Sequence, residues 1–263
     1  MYRTLQLALL ICIAALAGAS NSHAQALEWQ VAPYLWAANV GLDMDINGDP
    51  VLGVDVPFND LVDKLDGAFM LHAEVRGPKF GAFADIISLK LADSGITSVG
   101  PGGPLLGDLI TETELQLGLF EIGGLYRFGE AVPGSVAIDV LLGIRLVDVD
   151  QSVNITLPDP AETMINRTPN VSEVDFVMGA RAIGKFTDRW GYRVRADYGT
   201  GGTDGTFNFI GTVGYTFGET GLFTLDFGYR HLQMELSKGL ENGAVSSSDI
   251  TFSGPLVGLV FNF

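Results

Sequence analysis

Along most of this chain apolar and polar residues alternate with a period of two, in segments of about ten residues. After Gly221, Phe223, Leu225, Phe227 and Tyr229 fall on one face, and Thr224, Asp226, Gly228 and Arg230 on the other. The preceding segment sets Phe207, Phe209, Val213, Tyr215 and Phe217 against Asn208, Thr212, Gly214 and Thr216. In 190–199, Tyr192, Val194, Ala196 and Tyr198 oppose Arg193, Arg195 and Asp197. In 135–149, Val136, Ile138, Val140, Leu142, Ile144 and Leu146 oppose Asp139, Gly143 and Arg145, and in 67–76, Phe69, Leu71, Ala73 and Val75 oppose His72, Glu74 and Arg76. Successive strand residues point to opposite faces, so each segment predicts a β-strand with one apolar face.

Two segments break parity. The polar face shifts between Asp85 and Ser88, and again between Gln116 and Glu121, which predicts β-bulges near Ile86-Ile87 and Leu119-Phe120. In 28–40, Trp29, Val31 and Leu35 oppose Tyr34 and Trp36, so both faces are apolar. Short connections near 77–79, 128–134, 187–189 and 218–221 alternate with longer ones near 41–66, 92–108, 150–170 and 237–248, and a brief one at 200–204. The rhythm predicts ten strands: 28–40, 67–77, 80–91, 109–128, 135–149, 170–186, 190–199, 206–217, 221–236 and 249–263. Eight or twelve are the alternatives, and 41–66 is where a hairpin could be hidden, because Asn47-Gly48 is a type I′ turn signal.

Residues 1–24 read as a secretory signal: Arg3, an apolar run from Leu7 to Ala17, then Ser22-His23-Ala24 with small residues at the cleavage positions. The single cysteine, Cys12, lies inside it, so residues 25–263 hold no disulfide, thiol nucleophile or Cys-ligated metal. Without Arg3, 14 basic residues face 31 acidic ones, a net charge of −17 that argues against nucleic acid as a partner. No later stretch approaches the ~18 apolar residues of a spanning helix, so a membrane-spanning form must be a closed barrel, the structure that leaves no backbone group unpaired in lipid.

The last segment carries a family resemblance. Val257, Leu259, Phe261 and Phe263 alternate with Gly258, Val260 and Asn262, and the segment ends on an aromatic. This resembles the terminal signal that the barrel-assembly machinery recognises. Residues 25–263 as a whole resemble small bacterial outer-membrane β-barrels of the OmpA-like and opacity-protein type. The resemblance implies an all-β, antiparallel up-and-down barrel in the outer membrane, with Phe261 and Phe263 towards lipid and Gly258 and Asn262 inside. It carries over no functional residues. A soluble barrel or sandwich would have to crowd the aromatic faces around a narrow axis, which a lipid-facing belt avoids.

On this assignment the lumen holds eight acids, Glu74, Asp85, Glu121, Asp139, Glu173, Asp175, Asp197 and Asp226. It also holds eight bases, Arg76, Arg127, Arg145, Arg181, Lys185, Arg193, Arg195 and Arg230. Balanced charges in a narrow interior pair with one another, because an unpaired buried charge is costly. The expectation is a salt-bridge-plugged lumen and a structural or surface-interaction role, with a narrow small-solute channel and a rim hydrolase as alternatives. The other 23 acids and 6 bases lie outside the lumen, with clusters at Asp43, Asp45, Asp49, Asp55, Asp60, Asp63 and Asp66 and at Asp148, Asp150, Asp159 and Glu162. Divalent cations bridging these acids to lipopolysaccharide would make membrane lipid the partner.

No cofactor is expected. Asp43, Asp45 and Asn47 match the first half of a calcium loop, but Val54 occupies the position that needs a bidentate Glu, so a tight turn is the better assignment. Phe58, Leu61, Val62 and Leu65 have helical spacing and predict a short amphipathic helix, either a lid over the mouth or a segment packed on the outer strand ends. Ten-stranded omptin proteases use an Asp–His unit at the rim. Here only His72 and His231 follow the signal, and neither stands beside a nucleophile at recognisable spacing.

Overall fold

The structure is a computed structural model, which describes residues 27–98, 108–158, 161–167, 170–239 and 245–263. The expected signal, residues 1–24, and Asp159 lie outside the described residues. The strands are β1 (Glu28–Trp36), β2 (Asn39–Ile46), β3 (Asp49–Val56), β4 (Leu65–Arg76), β5 (Phe80–Ser98), β6 (Asp108–Phe128) and β7 (Val136–Pro158). They continue as β8 (Ala161–Arg167), β9 (Asn170–Lys185), β10 (Trp190–Gly201), β11 (Gly205–Phe217), β12 (Phe223–Gly239) and β13 (Val245–Asn262). One short helix, α1 (Phe58–Val62), lies between β3 and β4.

Ten strands form a ring in the order β1-β4-β5-β6-β7-β9-β10-β11-β12-β13, and β1 pairs with β13 to close it. All neighbours are antiparallel. The near half of β13 pairs with β1, from Gln30↔Asn262 to Trp36↔Leu256, and its far half pairs with β2, from Asn39↔Ser253 to Ile46↔Ser246. The β2–β3 hairpin thus prolongs the wall beyond β1, as β8 does on β7. We call the end holding Glu28 and Asn262 proximal and the end bearing these extensions distal.

The ten-strand expectation holds, and the structure revises four details. Much of the sequence assigned to long distal loops is strand: β5 and β6 stay paired out to Ser98↔Asp108, and β12 and β13 to Gly239↔Val245. Asn47 and Gly48 take φ of 54° and 85°, the left-handed pair a type I′ turn requires, so the 41–66 region does contain a hairpin. The expected bulges near Ile86-Ile87 and Leu119-Phe120 do not exist, because β4, β5 and β6 run through both sites without a register shift. Parity never breaks there. The interior itself turns from polar to apolar, so Ile87 and Leu119 point inward as Asp85 and Glu121 do. Finally, α1 is a single turn with no buried residue, its Phe58 N–H donating to Asn39 Oδ1 at 2.8 Å. It packs beside the Asn39 end of β2 rather than on the outer strand ends, and Leu65 belongs to β4.

The outward faces form an apolar belt, with Leu142, Phe176 and Met178 62%, 73% and 65% exposed. Aromatic rings gather at its proximal margin, where Phe80, Tyr126 and Phe128 touch in series and Trp190, Tyr215, Phe217 and Phe223 form a second chain. An exposed apolar band edged by aromatic rings is the surface that a lipid-facing barrel requires. Val257 and Phe263 lie on it, while Gly258 and Val260 face inward.

The closing seam is directly testable, because the barrel residues contain no cysteine. Trp29 and Phe263 exchange two backbone hydrogen bonds, which makes Gln30 and Asn262 a non-hydrogen-bonded pair with Cα atoms roughly 4.5 Å apart. That spacing suits a disulfide. The double variant Gln30→Cys/Asn262→Cys should cross-link quantitatively under mild oxidation when folded in micelles and not in urea, read by mass shift. A different closing partner or register would leave the thiols free.

Candidate functional site: a stratified barrel lumen

Ten strands bring opposite walls close enough for side chains to meet across the axis. The inward residues form layers. Nearest the proximal end, Arg181 from β9 reaches Glu74 on β4 and Asp139 on β7, with Nη2–Oδ2 of 2.6 Å to the latter. Arg127 clasps the same Asp139 through Nε and Nη2, both at 2.7 Å, and Arg76 pairs with Glu74 at 2.9 Å.

The middle layer holds Glu121, Arg145, Arg195, Asp197, Asn208, Arg230, Asp85 and Tyr34. Arg145 is fully buried and donates to Glu121, Asp197 and Thr206, the last at 2.9 Å. Arg195 bridges the same two carboxylates, Glu121 and Asp197. Asn208 donates to Asp197 at 2.7 Å and accepts from Arg230 Nε at 3.0 Å. Arg230 also reaches Asp85 at 3.3 Å and the Tyr34 hydroxyl at 3.0 Å. His72 joins the two layers, with Nδ1 3.2 Å from Asp85 and Nε2 3.7 Å from Glu74. Its ring stacks on Phe83, over which the Arg195 guanidinium lies at 4.8 Å, a cation–π contact. Gly123 makes room for that ring, since a Cβ there would come within 2.6 Å of it.

Distal to the charges is a layer that alternation alone did not reveal. Trp36, Met70, Ile87, Leu117, Leu119, Val147, Leu232, Met234 and Phe252 pack across the axis, and Leu232 and Met234 have no exposed surface. Arg230 sits beneath it, 5.1 Å from the centre of the Trp36 ring. Apolar side chains thus fill the bore at this level, and the ion pairs lie on its proximal side.

Of the sixteen charged residues assigned to the lumen, eleven are joined in one network: Glu74, Arg76, Asp85, Glu121, Arg127, Asp139, Arg145, Arg181, Arg195, Asp197 and Arg230. Asp175 points inward but serves another purpose, accepting from the backbone N–H groups of Gly202 and Thr203 and from the Thr203 hydroxyl at 2.7 Å, which pins the β10–β11 turn. Arg193 and Asp226 stand apart from the ion pairs. Lys185 is exposed at the proximal mouth and Glu173 is half-buried towards the distal end. Alternation missed Tyr34, Thr206 and Asn208 as partners because neutral residues carry no charge signal.

At the distal hairpin, Asp45 accepts from the Gly48 N–H at 3.0 Å, closing the turn, and no cluster of three metal-ligating side chains occurs among the described residues. His231 faces outward beside Tyr229 and lies mid-strand in β12, which continues to Gly239.

Removing Arg145 would leave Glu121 and Asp197 with one buried cation between them. Arg145→Met should therefore lower unfolding stability by about 3–5 kcal/mol in urea titrations of the refolded barrel. Lys185→Met at the exposed mouth should change it by less than ~0.5 kcal/mol.

No family model matches the chain, and no curated protein sequence matches it. Solved structures do. The outer-membrane protease OmpT of Escherichia coli aligns over 93% of this chain and 99% of its own, at 9% identity and a TM-score of 0.47. The attachment invasion locus protein Ail of Yersinia pestis covers 88% and 99%, at 8% identity and 0.31. Neisserial surface protein A covers 91% and 100%, at 13% identity and 0.28. The closed ten-strand antiparallel barrel rests on the strand pairing itself, and no characterised subfamily is identified.

Proposed function

We propose that this chain sits in the outer membrane with its proximal turns in the periplasm, as a sealed barrel whose working surface is the acidic distal end. The observation that carries this reading is the apolar layer across the lumen, with Leu232 and Met234 wholly buried. A bore closed by packed hydrocarbon offers solutes no path, which favours a structural or surface-interaction role over a channel.

Charge polarity supports the orientation. Residues 41–66 carry seven aspartates against Lys64 alone, whereas the proximal turns are balanced, with Lys79, Lys185 and Arg189 against Glu130, Asp188 and Glu219. Acidic hairpins standing beyond the belt meet the phosphate layer of lipopolysaccharide, and divalent cations make that contact attractive. His72 lies beneath the apolar layer and His231 faces the belt, so neither histidine stands at the distal rim.

In planar bilayers the protein should give no stable conductance steps, and Leu119→Ala/Leu232→Ala/Met234→Ala should give them. Regular steps from the unaltered barrel would overturn the sealed reading. Millimolar magnesium should raise the unfolding midpoint in lipopolysaccharide-containing liposomes, and should fail to do so once the seven aspartates of 41–66 are replaced by asparagine. An equal magnesium effect in both proteins would dispose of the cation bridge.

A further inference from the structure

Every other arginine in the lumen has a carboxylate within ion-pair distance. Arg193 does not. Its Nη2 donates to Gln30 Oε1 at 3.2 Å, and its Nε is buried without a partner. Among the inward acids of the same region, Asp226 is the counterpart: half-buried, with no hydrogen bond or ion pair among the described residues. The two face the same space.

That space is a pair of adjoining cavities on the proximal side of the apolar seal. The inner one, about 80 Å³, is bounded by Tyr34, His72 and Arg230, and the outer, about 110 Å³, opens between the β9–β10 and β11–β12 turns beside Lys185 and Trp190. Arg193, Thr212 and Asp226 line both, so they form the waist between them. Arg193 pairs in register with Thr212, and Asp226 with Gly214. The cation on β10 and the anion on β12 therefore flank β11, their backbones roughly two strand spacings, or about 10 Å, apart. Gly214, lacking a side chain, lets the Asp226 carboxylate lie over β11 towards β10.

Burying a charge without a hydrogen-bonded ion-pair partner is costly, and here one of each sign lines a cavity that opens at one end. We infer that this waist is a binding site for a small zwitterion of amino-acid size, its carboxylate on Arg193 and its ammonium on Asp226. Thr212 supplies a hydroxyl between them. The ligand enters from the proximal mouth, because the apolar layer blocks the distal route. The site is independent of whatever the distal hairpins bind.

The test uses the refolded barrel in dodecyl maltoside, titrated calorimetrically with glycine, β-alanine and γ-aminobutyrate, whose charges are separated by increasing spans. Acetate and methylammonium serve as single-charge probes. At least one zwitterion should bind saturably and shift the Arg193 Nε–Hε resonance, and both single-charge probes should bind at least tenfold more weakly. Arg193→Gln and Asp226→Asn should each weaken the zwitterion at least tenfold, while heat-modifiable migration on gels reports that both variants fold. Saturation by none of the three zwitterions overturns the proposal. So does acetate binding as tightly as the best of them, or affinity unchanged in both folded variants.

Discussion

Everything in this molecule follows from one constraint, that the sheet must close on itself. In a lipid belt every backbone N–H and C=O needs a partner, and a free strand edge along the belt is untenable. Pairing β1 with β13 removes that edge. Closure with ten strands also sets the bore, and the bore decides which side chains meet. Arg181 on β9 reaches Glu74 on β4, Arg145 on β7 reaches Asp197 on β10, and Arg230 on β12 reaches Asp85 on β5. None of these pairs joins neighbouring strands, so the ion pairs act as struts across the ring. In a wider barrel these three contacts would be out of reach, and only pairs between neighbouring strands, such as Arg145 with Glu121 and Arg181 with Asp139, would remain.

The struts and the seal divide the work between them. A buried ion pair recovers in attraction about what it loses in desolvation, and its main effect is to make one arrangement preferable to its competitors. The packed apolar layer contributes burial outright. β12 shows the division within one strand: Asp226 in the open waist, Arg230 among the struts, then Leu232 and Met234 in the seal. Stratification along the axis lets a narrow barrel hold a charged level and an apolar level in one bore.

Much of this was readable from alternation. The number of strands, their pairing rhythm and the inward set of charged residues follow from which residues share parity. What alternation could not show was any feature depending on where inward residues sit along the axis. Ile87 and Leu119 read as the sites of bulges as long as the lumen is assumed polar throughout. Tyr34 and Trp36 remained ambiguous because an aromatic ring suits a lipid face and a packed bore equally well. The partners of Arg181 were hidden for a different reason: Glu74 lies 107 residues away, and the stagger of ten strands, invisible in any one of them, decides who stands opposite whom. For the same reason the odd pair Arg193 and Asp226 could not be told from the paired residues.

The seam between β1 and β13 also has a kinetic meaning. The side chains of Gln30 and Asn262 hydrogen-bond across it although they are 232 residues apart in the chain. Contacts of such long range are slow to form, because the entropy of closing the loop is lost before any contact rewards it. All the other pairings of the ring join segments nearer in sequence and can zip up one hairpin at a time, leaving a curved sheet with two open edges. The last event must then be a single joining step, and until it occurs β1 and β13 are both free to pair with the wrong chain. A cell that makes this protein must therefore shield those two edges during the interval.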